Sequence, residues 1–184
     1  MVIPDAVRAT VLRRFGRLDR AGRTTLMQAS AIGYRFHLRV LVAVGRASEA
    51  RVRAALDGAC ELQLIVLEHA NLERYAFRHA LTRDIVYAEF VEARVRPLHR
   101  RIVGALEVAA AAGDVALADL AYHAWAGGDA RRGVRYNERA GDDAAAVHAH
   151  DDARMHYGRA LALVSVGTDA FLRLSRKLER VASG

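Results

Sequence analysis

Apolar positions recur every three or four residues along most of the chain, which predicts a mainly α-helical protein. Val7, Val11 and Phe15 form one such stripe. Ser48 is expected to cap a later helix, because a serine there precedes a new apolar periodicity. The pattern predicts four helices in the first part of the chain, over residues 4–21, 24–32, 38–44 and 49–62.

A two-residue alternation interrupts the helical period near the middle of the first half. Tyr75 and Phe77 alternate with Ala76 and Arg78, as on a strand, and a helical spacing resumes at Leu81. Together with an apolar run over residues 64–67, this predicts a small hairpin of two strands, 64–67 and 74–77. His79 is therefore expected at the end of a strand and the start of a helix.

Short alanine-rich helices fill the rest of the chain. One is expected over residues 81–91 and another around Leu98, Ile102 and Leu106, ending at Gly113. Further helices are predicted over residues 115–126, 130–140, 142–149, 151–164 and 169–181. These indicate stacked helical hairpins and two domains, 1–112 and 113–184. Such a short array exposes an apolar end, which favours a homo-oligomer.

The order of several motifs resembles a known family. The strings at residues 4–20, 29–36, 75–87, 98–107, 121–129 and 156–161 together resemble the winged-helix and tetratricopeptide-like segment of STAND-type signalling ATPases, including the large ATP-binding LuxR-type bacterial transcriptional regulators. The resemblance implies a winged helix-turn-helix with a small β-wing, followed by tetratricopeptide-like hairpins. It also implies a nucleotide-sensing role for His79, since the corner histidine of the relatives reaches toward the phosphate of the bound nucleotide. The alternative is a histidine side chain that caps the helix start or fills the strand corner.

The phosphate-binding loop of those ATPases has no counterpart here. That loop needs a lysine followed by serine or threonine, whereas the only lysine, Lys177, precedes Leu178. The chain is therefore expected to hold no cofactor and to meet ATP or ADP only through an NTPase module that it lacks. No nucleophile motif or paired carboxylates point to an enzyme, so we expect a non-catalytic fragment or short descendant of a larger regulator.

Positive charge is concentrated in the first part of the chain. The net charge is +7, and residues 1–110 hold 18 of the 28 basic residues against 11 of the 21 acids. This favours different partners for the two halves. The candidate anion or DNA contacts are Arg13, Arg14, Arg17, Arg20, Arg51 and Arg53; a solvated arginine surface is the alternative reading.

Sequence-specific DNA reading is less favoured than a protein partner. On the helix at residues 49–62, Glu49, Asp57 and Glu61 are expected to face outward beside Arg51 and Arg53. The residues that the spacing assigns to the core are Val52, Ala55, Leu56, Ala59 and Cys60. Three acids among two arginines make a poor surface for the DNA groove. With this surface, the resemblance implies a regulatory protein-interaction module in signal transduction or transcription, whose partner is an NTPase module or another subunit. The alternative is a stand-alone winged-helix DNA-binding regulator.

Two further features bear on chemistry and location. His148, Asp152 and His156 recur every four residues and suggest a metal site, but a helix break near residue 150 would separate them, so no metal is predicted. The single cysteine, Cys60, cannot form an internal disulfide, and no apolar run reaches the roughly 20 residues of a membrane span. A cytoplasmic protein without membrane contact is expected.

Overall fold

A computed structural model describes residues 4–90, 92–110 and 115–182. Within those ranges the protein has ten helices and one antiparallel sheet of three short strands, which confirms the predicted mainly α fold. The chain divides into two compact units, Met1–Leu98 (unit 1) and His99–Gly184 (unit 2). The predicted division after residue 112 falls in 111–114, outside the described residues.

Unit 1 combines short helices with the sheet. Its elements are α1 (Asp5–Gly16), α2 (Arg20–Ile32), β1 (Arg35–His37), α3 (Leu38–Gly45), α4 (Glu49–Glu61), β2 (Ile65–His69), β3 (Arg74–Phe77) and α5 (Ala80–Tyr87). The central strand is β3, which pairs antiparallel with β1 on one side and β2 on the other. The predicted hairpin is present as β2 and β3, whereas β1 was not predicted.

The core of unit 1 is built from large apolar side chains. Phe77, Leu41 and Leu56 are completely buried, and the Phe36 ring centroid lies 5.9 Å from those of both Tyr75 and Phe77. Burying each such side chain contributes on the order of 1.5–3 kcal/mol. The core therefore holds together the helices and the hairpin that carry the candidate residues of unit 1.

The boundary between α1 and α2 differs from the prediction. Helix α1 ends at Gly16 instead of near residue 21, and α2 begins at Arg20 instead of residue 24. The cause is Asp19, whose carboxylate accepts a hydrogen bond of 2.6 Å from the backbone N of Gly22 and so caps α2. Gly22 therefore lies in the first turn of α2, although a glycine in a sequence pattern suggests a helix end.

The regular elements of unit 2, within its described residues, are all helices. The division between the units falls within α6 (Glu92–Ala110), and the later helices are α7 (Leu117–Ala126), α8 (Ala130–Ala146), α9 (His150–Leu161) and α10 (Asp169–Ala182). Consecutive helices from α7 to α10 pack against one another, and α9 also contacts α7. None of the described helices combines the length and the apolar character needed to cross a bilayer.

Small residues allow the helices of unit 2 to approach closely. A Cβ atom added to Gly141 would lie 2.5–3.0 Å from three ring atoms of Tyr157 on α9. The predicted helix break at Gly141 is therefore wrong, because α8 runs continuously from Ala130 to Ala146 and uses the glycine as a packing site.

Candidate functional site

Helix α4 presents a mixed-charge surface to solvent. Val52, Leu56 and Ala59 are buried, as predicted, whereas Ala55 and Cys60 are only half-buried. The outward residues Glu49, Arg51, Asp57 and Glu61 are exposed. Burial raises the pKa of the Cys60 thiol, so the protonated form is favoured.

Arg53 is neutralised by two carboxylates. Its Nη2 lies 2.8 Å from Oε1 of Glu49, one helical turn earlier, and also contacts Glu73, which directly precedes β3. The hydrogen bonds that Arg53 donates to Glu73 and then to Glu49 raise its pKa. This residue was a candidate DNA contact, and the structure instead places it in an ion-paired link between α4 and the hairpin.

Charged side chains of the sheet are paired in the same way. Nε of Arg35 lies 2.8 Å from Oε1 of Glu68, and Nε of Arg74 lies 3.0 Å from Oε2 of the same carboxylate. The hydrogen bond from Arg35 is the largest cause that lowers the pKa of Glu68. Both of these arginines therefore already have a carboxylate partner.

The remaining candidate arginines lie around the α1–α2 turn and on α4. Arg13, Arg17 and Arg20 are exposed, and Arg14 is half-buried. Arg17 and Arg51 line a shared open groove of about 500 Å³, whose other lining residues include the acids Asp19 and Glu61. The structure therefore brings two of the six candidate cations to one groove, which the carboxylates of Asp19 and Glu61 also line.

His79 occupies the predicted corner between β3 and α5. Its backbone is extended, and its carbonyl accepts hydrogen bonds from the backbone N of Thr82 (3.0 Å) and of Arg83 (3.4 Å). The imidazole is exposed and makes no capping hydrogen bond to α5. The alternative of a histidine side chain that caps the helix or fills the corner is therefore wrong, and the ring is available to a partner.

The histidine stripe of unit 2 does not assemble. His148 lies before α9 in a left-handed conformation (φ 60°), so it does not continue the helical face of Asp152 and His156. His156 is buried, and its Nδ1 lies 3.1 Å from Oδ1 of Asn137. In the part of the chain that the structure describes, no group of three or more histidine, cysteine or acidic side chains is placed to hold a metal.

Unit 2 contains a buried polar network that the sequence did not predict. Nδ2 of Asn137 donates to the carbonyls of Ala121 (2.8 Å) and Gly133 (2.9 Å). Oδ1 of Asn137 is therefore the acceptor for His156, and the imidazole of His156 must carry a proton on Nδ1. Separately, Nδ1 of His99 and Nδ1 of His123 are 2.7 Å apart, so one donates and the other accepts. Both pairs join different helices, a property that spacing along the chain does not reveal.

Comparison with protein-family models, with curated proteins and with solved structures found no match to this chain.

Proposed function

We propose that the chain is a non-catalytic regulatory and protein-interaction module of a STAND-type ATP-dependent transcriptional or signalling regulator. In this proposal unit 1 is a winged helix, and its element order with strand order β1-β3-β2 supports that assignment. Unit 2 is a tetratricopeptide-like array, supported by the pairwise packing of α7 to α10. The protein acts in the cytoplasm, where Cys60 stays reduced.

The observation that carries the proposal is the outward face of α4. In a DNA-reading winged helix this surface would enter a polyanionic groove, where arginine, lysine, asparagine and glutamine contact base edges. Here Glu49, Asp57 and Glu61 are exposed, and Arg53 is held by two carboxylates. Docking of this face on DNA would require those carboxylates to face phosphates, which costs free energy, whereas a protein surface of mixed charge can match them.

The corner histidine supplies the second contact in the proposal. The exposed imidazole of His79 can donate a hydrogen bond to a phosphate oxygen when neutral and adds a positive charge when protonated. In the proposed assembly, unit 1 rests on an NTPase module and His79 reaches the bound nucleotide. Exchange or hydrolysis of the nucleotide would then release the contact, as in other phosphate-dependent switches.

The test begins with the coding sequence on either side of this chain. The proposal expects an NTPase module with a glycine-rich loop ending in Lys-Ser or Lys-Thr, in the same polypeptide or an adjacent gene. The purified module, loaded with ADP, should bind the chain, and His79→Ala should weaken that complex without lowering the melting temperature of the chain. A neighbourhood without such a module, or a complex insensitive to the nucleotide and to His79→Ala, contradicts the proposal.

The alternative function is a stand-alone DNA-binding regulator. It is favoured by the exposed arginines Arg13, Arg17 and Arg20 around the α1–α2 turn, which could contact phosphates without help from α4. Such contacts position a protein on DNA but carry no sequence information. We therefore expect any DNA complex of this chain to be weak, dependent on salt and indifferent to sequence.

A further inference from the structure

One arginine of unit 2 lies over two aromatic rings at the surface. The Cζ atom of Arg159, on α9, is 4.9 Å from the ring centroid of Trp125 and 5.5 Å from that of Tyr122, both on α7. The two ring centroids are 6.2 Å apart. Trp125 is exposed, while Tyr122 and Arg159 are half-buried, so a partner can reach this cluster, which we call the aromatic–arginine face.

Buried histidines hold the aromatic–arginine face from beneath. The Tyr122 ring packs edge-on against His99 at 5.7 Å and against His123 at 5.1 Å between centroids. Both imidazoles are fully buried and are joined by their Nδ1–Nδ1 hydrogen bond of 2.7 Å. Because packed side chains hold the platform in place, a ligand would lose little free energy in ordering it.

The charge of Arg159 is not matched within the described residues. Some other arginines of unit 2 do have carboxylate partners: Arg132 lies 2.9 Å from Glu107, and Arg173 lies 2.8 Å from Glu138. No carboxylate lies within ion-pair distance of Arg159 among the residues that the structure describes. A half-buried cation that lies over aromatic rings and has no carboxylate partner attracts an external anion.

The geometry also selects the kind of anion. Among the residues that the structure describes, the Arg159 guanidinium donates no hydrogen bond. Its N–H groups can therefore form the parallel pair of hydrogen bonds that a carboxylate accepts. Beside it, Trp125 and Met155, which lies one helical turn before Arg159, expose 36% and 42% of their surface. These side chains offer an apolar contact next to the charge.

We propose that the aromatic–arginine face binds a peptide segment of a protein partner, with a carboxylate on Arg159 and a neighbouring large apolar side chain against Trp125 and Met155. The inference rests on the proposed interaction function and names the chemistry of the partner of unit 2. The carboxylate supplies the charge that Arg159 lacks, and the apolar side chain removes the exposed indole and thioether from water.

The test is a selection of short random peptides, displayed on phage, against the full chain. The proposal expects enriched peptides to contain aspartate or glutamate beside a large apolar residue. A synthetic copy of the most enriched peptide should change the fluorescence of Trp125, the only tryptophan in the chain, as it binds. Absence of enrichment, enrichment of peptides without acids, or binding that leaves this fluorescence unchanged overturns the proposal.

Two variants locate the charge contact. Arg159→Gln should weaken binding of the selected peptide about tenfold or more. Replacing the acidic residue of the peptide by its amide should lower the affinity by a similar factor. Arg159→Lys, which keeps the charge but lacks the planar fork, should lose part of the affinity. The matched control is Arg139→Gln, which removes one charge from an exposed position on α8 and should leave the affinity within about twofold. Equal losses in Arg159→Gln and Arg139→Gln would show unspecific attraction and contradict the site.

This experiment and the NTPase test fail separately. If an acidic peptide is selected and its binding depends on Arg159, but no NTPase module is found, the peptide site is supported and the proposed regulatory function is rejected. If the NTPase module binds but the selection yields no acidic peptides, only the proposed peptide site is rejected.

Discussion

The two units hold their helices together by different means. Unit 1 fills its interior with large apolar side chains such as Phe36 and Phe77, and the polar side chains that it buries in the described ranges are the hydroxyls of Ser30 and Thr82. Unit 2 also buries large apolar side chains such as Ile102 and Leu174, but its helices approach closely at alanine and glycine, and it buries imidazoles and an amide between them. Unit 1 is therefore expected to be sensitive to loss of side-chain volume, and unit 2 to added volume and to protonation.

The largest effect is expected from truncation in unit 1. Phe77→Ala removes a completely buried ring and should lower the free energy of unfolding by about 3–5 kcal/mol. Urea denaturation followed by far-ultraviolet circular dichroism measures it. Leu72→Ala, at a half-exposed hairpin position, is the control and should change the free energy by less than about 0.5 kcal/mol. Similar losses in both variants would contradict the described core.

In unit 2 the corresponding change is an added methyl group. Gly141→Ala places a Cβ against the Tyr157 ring, whose Oη is also hydrogen-bonded to Asp142 at 2.8 Å. We expect a loss of about 1–3 kcal/mol in urea denaturation. The matched control is Gly158→Ala on α9, where nothing lies within 4 Å of the added Cβ; it should stabilise by about 0.5–1 kcal/mol. A stabilising Gly141→Ala would disprove the close approach of α8 and α9.

Protonation of the buried His156 in unit 2 is expected to have a smaller effect on stability than these two substitutions. Burial is the main cause that lowers the pKa of His156 below its ordinary value of 6.5. The unfolded chain then binds the proton more readily, so this contribution to stability is present above pH 6.5 and is lost as the pH falls toward the folded pKa.

His156→Gln should give a flatter decline of the melting temperature between pH 7 and pH 5 than the parent chain does. His99 and His123 are present in both proteins, so the difference between the two slopes isolates His156. Identical slopes would mean that the folded state does not disfavour the protonated ring.

The smallest effect is expected at the ion pairs of unit 1. Arg53→Gln leaves Glu49 and Glu73 without their shared cation, but exposed ion pairs contribute little to stability. The melting temperature should shift much less than in Phe77→Ala. A shift as large as that of the core variant would show that the hairpin depends on Arg53.

The features that follow from a local pattern could be predicted from the sequence, whereas those that depend on contacts between distant residues could not. Strand β3 was predicted with its observed bounds because Tyr75 and Phe77 alternate with smaller or charged neighbours. Strand β1 was missed because it has three residues and exists only through pairing with β3, which is distant in sequence.

The candidate site shows the same limit. The corner position of His79 follows from the change of period around it, and the outward positions of Arg51 and Glu61 follow from helical spacing. The pairing of Arg53 with Glu73 and the stacking of Arg159 on Trp125 join separate elements, so no spacing along the chain indicated them.

The central claim is that the outward face of α4 contacts protein and does not read DNA. The most direct measurement is selection of duplexes from a randomised DNA library, followed by fluorescence anisotropy of the selected and of unselected duplexes at low and physiological salt. The account predicts no enriched sequence, and a dissociation constant above about 1 µM at physiological salt that rises steeply with salt for every duplex. A submicromolar complex with one enriched sequence, weakened by Arg51→Gln, would contradict it.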